Sequence, residues 1–139
     1  SAEWVTSLEK AIEISQKSQK PIFVDLYTDW CAYCKDLEQK IFPKDEVAIE
    51  LEKFTKVRIN GDLNQELVRK FNIKGYPSIL ILDKSGYFLD KLTGLPTPKG
   101  LVDRIKSAYE IKDIEQVLID KQLKNTTDVE ANFLLGNFY

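Results

Sequence analysis

The chain has 139 residues, 43% of them hydrophobic and 30% charged, which is enough apolar mass for one core without staples. Its 20 basic and 22 acidic residues are interspersed and sum to −2, leaving no basic stripe of the kind that binds nucleic acid. Histidine is absent, which removes the usual general base, metal ligand and pH switch. No apolar run approaches the roughly 18 residues that a membrane span needs.

In chain order, "EWVTSLEKAIEISQKSQK" places Trp4, Leu8, Ala11, Ile12 and Ser15 at helical spacing, which predicts an amphipathic helix ended by Pro21. In "PIFVDLYT" a nearly continuous apolar run, broken only by Asp25, predicts a strand buried on both faces. "CKDLEQKIF" reads as helix with Cys34, Leu37 and Ile41 on one face. It breaks at Pro43 and resumes in "DEVAIELEKF". "TKVRIN" is a second strand, and "LNQELVRKFNI" a helix with Leu63, Leu67, Val68 and Phe71 inward. "PSILILD", "KSG" and "YFLDKLTG" form a hairpin, and "TPKGLVDRIKSAY" a closing helix with Leu101, Ile105 and Ala108 inward. The order α–β–α–β–α–β–β–α predicts an α/β fold, a mixed sheet of about four strands with helices on both faces.

Residues 1–110 are expected to form this domain and 111–139 a helical extension, with Ile111, Ile114, Val117, Leu118 and Leu123 as its stripe. Thr127 and Glu130 have the spacing of a capping box. The final "LGNFY" resembles the core of a tetratricopeptide first helix, so two readings stand: a terminal docking helix, or the start of a repeat region in a longer protein.

The only cysteines, Cys31 and Cys34, fall in "DWCAYCK". A structural zinc site needs about four cysteine or histidine ligands, and this chain offers two. A disulfide closing so small a loop removes little unfolded-state entropy. Inert core cysteines do not explain a pair placed after a strand and at a helix start. A helix N-terminus favours thiolate over thiol through its free N–H groups and dipole. Cys31 occupies that position and is the expected nucleophile. Cys34, one turn on, is the expected resolving thiol.

With "VDLYTDWCAYCK", "VRIN", "IKGYPSILILD" and "GYFLDKLTG" in this order, the stretch from Trp4 to Tyr109 resembles the thioredoxin superfamily. Within it, the chain looks most like the C-terminal periplasmic domains of the transmembrane thiol–disulfide interchange proteins. The resemblance implies the thioredoxin fold, an exposed Cys31 and a buried Cys34. It implies Trp30 packed beside the dithiol, and a cis peptide between Tyr76 and Pro77 in a loop that pairs with substrate. It also implies that Asp25 is a buried acid handling the proton of Cys34. Arg58 occupies the position of the family's usual lysine partner, and a permanently charged neighbour would hold Asp25 ionised. Between the cysteines stand Ala32 and Tyr33 where thioredoxin has Gly-Pro, which puts an aromatic ring at the mouth.

The expected activity is reduction of protein disulfides by the Cys31–Cys34 couple without a cofactor. The rival readings are an oxidase or isomerase, and a client-binding scaffold in which the dithiol is incidental. The expected partners are disulfide-bonded clients and a donor dithiol protein, with no nucleic acid and no membrane span in this chain. A monomer is expected. The resemblance places it in the periplasm or otherwise outside the cytoplasm, with the cytoplasm as the alternative.

Overall fold

In the computed structural model, which describes residues 4–113 and 121–123, Ser7 fixes where the first helix begins. Its side chain accepts the N–H of Lys10, so α1 runs over Leu8–Ser18. Trp4 therefore lies outside the helix that its spacing predicts. The chain before the cap is extended instead. Val5 donates to Lys56 O at 2.9 Å and accepts from Arg58 N at 2.8 Å, a single parallel bridge opposite Val57.

The apolar run Ile22–Tyr27 forms β1, with every residue but the last buried. It pairs in parallel with β2 (Thr55–Asn60) and antiparallel with β3 (Ser78–Leu82), which pairs antiparallel with β4 (Phe88–Thr93). The resulting order, β2-β1-β3-β4, is a mixed four-stranded sheet, as the element order predicts. Because side chains alternate along a strand, β1 feeds two cores. Phe23 joins Ile79, Ile81, Leu37, Leu101 and Ile105 on one face. Val24 and Leu26 join Val57, Ile59, Leu80 and Ala11 on the other. Each fully buried side chain of this size contributes about 1.5–3 kcal/mol.

The first core is covered by α2 (Ala32–Asp36), a π turn (Leu37–Ile41), α3 (Asp45–Leu51) and α5 (Pro98–Ile111). The second is covered by α1 and by α4 (Gln65–Lys70), whose Leu67 and Val68 are partly buried. Leu63 departs from expectation and is 80% exposed. The Asn60 side chain accepts Asp62 N–H and caps a 3₁₀ turn over Gly61–Leu63, so α4 starts only at Gln65 and Leu63 never joins its inward face. In the expected extension, Ile111 and Leu123 are exposed. Ile114, Val117, Leu118, Thr127, Glu130 and the "LGNFY" segment lie outside the described residues.

Candidate active site

Strand β1 ends at Tyr27, and a short loop carries the chain to Cys31, the N-cap of α2. Its backbone is extended, and its Sγ accepts the N–H of Cys34 at 3.1 Å. The two cysteines are joined by a disulfide with their Cα atoms 5.3 Å apart. A sulfur held as N-cap receives backbone N–H where negative charge would develop on reduction. The expectation of an exposed Cys31 is corrected for this oxidised state. Cys31 is 5% exposed and Cys34 1%, because the cap turns Cys31 Sγ back over the first turn of α2.

Trp30 and Tyr33, by contrast, are 71% and 62% exposed. Trp30 is held in place: its Nε1 donates to Asp62 at 2.9 Å, and its ring meets Tyr76 edge-on at 6.0 Å. That ring contact joins the Pro77 loop to the cysteine loop. The Tyr76–Pro77 peptide is cis. Tyr76 rests against Gly61 so closely that a Cβ there would overlap its hydroxyl and ring. Burial, with Asp62 adding to it, raises the Tyr76 phenol above its usual value. Tyr76, Trp30, Asp62 and Gly61 thus form one connected wall. Asp62 and Gly61 fall between the second predicted strand and the next predicted helix, and the sequence reading assigns them no role at the site.

Asp25 projects from β1 on the face shared with Phe23, toward the layer containing α2 and the π turn. It is fully buried, and neither carboxyl oxygen has a hydrogen-bond partner. Arg58, its register partner on β2, brings Nε to 3.4 Å from Oδ2 without hydrogen-bond alignment. The same Nε pairs with Glu38 of the π turn, and the guanidinium lies over the Tyr27 ring at 4.0 Å. Burial pushes the Asp25 carboxyl up to about 7, helped by the negative charge of Glu38; Arg58 pulls the other way and is outweighed. Arg58 therefore does not hold Asp25 ionised as its position in the sequence suggested. A carboxyl titrating near neutral pH is suited to accept and return a proton. Glu38 is the residue that the sequence reading missed. Its signal was spacing: it follows Cys34 by four residues along a helical stretch, the distance that puts two side chains on one face.

Three comparisons bear on the chain as a whole. A family profile described as thioredoxin-like matches residues 3–84. The thiol:disulfide interchange protein DsbD of Yersinia pestis is 36% identical over 77 residues, which cover 52% of this chain and 13% of that protein. The chain thus spans a small part of the length of such relatives. Among solved structures, a thioredoxin from Thermus thermophilus superposes with a TM-score of 0.71 at 19% identity, covering 81% of this chain and 90% of its own. The reduced C-terminal domain of Neisseria meningitidis DsbD gives 0.64 at 20% identity, with 73% and 93% covered.

Proposed function

This chain belongs to the thioredoxin-like family, and on that premise we propose that it is a thiol–disulfide oxidoreductase that reduces protein disulfides through Cys31 and Cys34. One observation carries the reading: the two cysteines form a disulfide at the start of α2, with Cys31 Sγ held on a backbone N–H and a buried, near-neutral acid on the sheet face beneath that layer. In the reduced protein the Cys31 thiolate attacks a client disulfide, and one client sulfur leaves as thiolate. Cys34 gives its proton to Asp25 and attacks Cys31 Sγ. The client leaves as a dithiol and the Cys31–Cys34 disulfide re-forms. A donor dithiol protein resets the couple, so no further cofactor is required.

Trp30, Tyr33, Tyr76 and Pro77 form the client-facing surface. The exposed rings of Trp30 and Tyr33 supply apolar contact, while Asp62 and Gly61 keep Trp30 and Tyr76 in place. A periplasmic or other extracytoplasmic setting is supported by the relatives named as interchange proteins. Among the described residues, no helix is long and apolar enough to cross a membrane.

The test is the equilibrium reduction potential of the Cys31–Cys34 pair in glutathione or dithiothreitol buffers, with Cys34→Ser as control. A value near about −270 mV supports a reductase, and one near about −120 mV makes the domain an oxidant. A pair that forms no reversible disulfide sinks the redox reading altogether.

A further inference from the structure

A cavity of about 770 Å³ lies between β2, the π turn and α3, a size within the range of about 300–1,000 Å³ that small-molecule sites occupy. One wall is apolar: Trp4 and Phe42 stack at 5.2 Å, with Leu51 of α3 beside them. Two buried ionisable side chains also line it, and both have unused hydrogen-bonding capacity. Asp25 is fully buried, and neither of its carboxyl oxygens has a partner. Lys56 is 7% exposed, and among the described residues its ammonium makes no hydrogen bond. Its ion-pair partner Glu52 stands at 3.8 Å, beyond hydrogen-bond reach, and the Trp4 ring lies 5.8 Å from the ammonium. Such groups held away from water are costly until something pairs with them. The other charges there are occupied or outlying: Arg58 and Glu38 pair with each other, and Glu52 is 53% exposed at the rim.

The register sets the spacing of the two unmatched groups. Asp25 stands opposite Arg58 and Phe23 opposite Lys56, so Asp25 and Lys56 point to the same side of the sheet. Two residues along and one strand across, their Cα atoms are about 8 Å apart. A simple anion would leave Asp25 without a donor, and a simple cation would leave Lys56 without an acceptor. A zwitterion matches both. The two charges of a single amino acid flank one carbon and are too close to span the pair, whereas an extended dipeptide spans about 7 Å.

We propose that this cavity binds a short peptide with free ends, about two residues long and with an apolar C-terminal side chain. The peptide's ammonium donates to the Asp25 oxygens, with Glu38 adding negative charge nearby. Its carboxylate accepts from the Lys56 ammonium. Its C-terminal side chain lies along Trp4 and Phe42. No bond is made or broken. Neither cysteine, nor Trp30 or Tyr33, lines the cavity, so the site is separate from the client-facing surface and does not depend on the dithiol reading.

The test is a titration of the full chain at pH 7 with alanyl-phenylalanine, its N-acetyl form and its C-terminal amide, followed by nuclear magnetic resonance. The chain has two tryptophans, so the two indole N–H signals report on the cavity through Trp4 and on the mouth through Trp30. The free dipeptide should shift the Trp4 signal, leave that of Trp30 in place, and bind at about 1 mM or tighter. Blocking either end should weaken binding by about tenfold or more, the worth of a hydrogen bond to a charged group. Lys56→Gln should weaken the free dipeptide by the same factor, yet bind the amide, which lacks the carboxylate, as the wild type does. No shift at millimolar peptide overturns the proposal. So do equal affinities for the free and blocked forms, or a shift at Trp30 in place of Trp4, which assigns the peptide to the mouth. A Lys56→Gln variant that loses the amide as much as the free dipeptide also overturns it. If Lys56→Gln does not fold, the three peptides on the wild-type chain decide alone.

Discussion

Replacing Asp25 by asparagine should make the oxidised protein more stable, and only above a definable pH. The folded carboxyl titrates near 7, against 3.8 for an ordinary aspartate, chiefly because burial disfavours its charge. Between those values the unfolded chain ionises while the folded one keeps its proton. Wild-type stability therefore falls as pH rises from about 4 to about 7, and levels off beyond. At about 1.4 kcal/mol per unit, the roughly three-unit gap amounts to about 4 kcal/mol of penalty above pH 7. Asparagine has nearly the same shape and no charge, so it removes the penalty. The loss of attraction to Arg58, at 3.4 Å without hydrogen-bond alignment, is already contained in the net shift. Urea unfolding of both proteins from pH 4 to pH 8 gives the difference directly, since every other titrating group is common to the two. The curves should coincide near pH 4 and separate by about 2–4 kcal/mol at pH 8. An asparagine variant that is equally or less stable at pH 8 would show that Asp25 is not a desolvated acid, and the proton-handling role would go with it.

Other outcomes follow from the same contacts. Gly61→Ala forces a Cβ into the Tyr76 ring and should cost about 1–3 kcal/mol in chemical unfolding, a loss partly recovered when Tyr76→Ala is added. Ser7→Ala removes the cap that starts α1 and should lower stability by about 1 kcal/mol, read from the unfolding midpoint with an unchanged m-value. Asp62→Asn should bring the Tyr76 phenol down in an ultraviolet titration, yet leave it above its ordinary value, because burial is the larger cause and remains. A Tyr76 titration that does not move would disconnect the aromatic wall from Asp62.

Much of the fold was legible because its signals are local and redundant. The run at Ile22–Tyr27 is too apolar for anything but a central strand, and Pro21, Pro43 and the turn at Ser85–Gly86 mark where elements stop. Cys31 was readable as an N-cap because strand, dithiol and helix follow each other without a gap. What escaped depended on competition between local choices. Trp4 fits the helical period, but the Ser7 cap wins and Trp4 stacks on Phe42 instead. Leu63 fits the next helix, but the Asn60 cap spends that stretch on a 3₁₀ turn. At the site, Asp25 and Arg58 were readable as a pair, while the balance between burial and the arginine was not. It turns mainly on the depth of burial, with a third charge, Glu38, adding to it from a π turn that no periodicity announces.

Asp25 hangs from β1, the strand hydrogen-bonded on both edges, by β2 in parallel and β3 antiparallel. Terminal fraying or loop opening does not break such a strand, so the backbone that carries the acid stays paired short of global unfolding. Backbone amides along Val24–Leu26 should therefore exchange with deuterium only by global unfolding, while the Asp29–Trp30 loop exchanges far faster. The loop before Cys31 and the acid beneath it thus belong to opposite ends of the protein's range of local stability, and on the reading proposed above the backbone that carries Asp25 keeps one fixed position for as long as the chain stays folded.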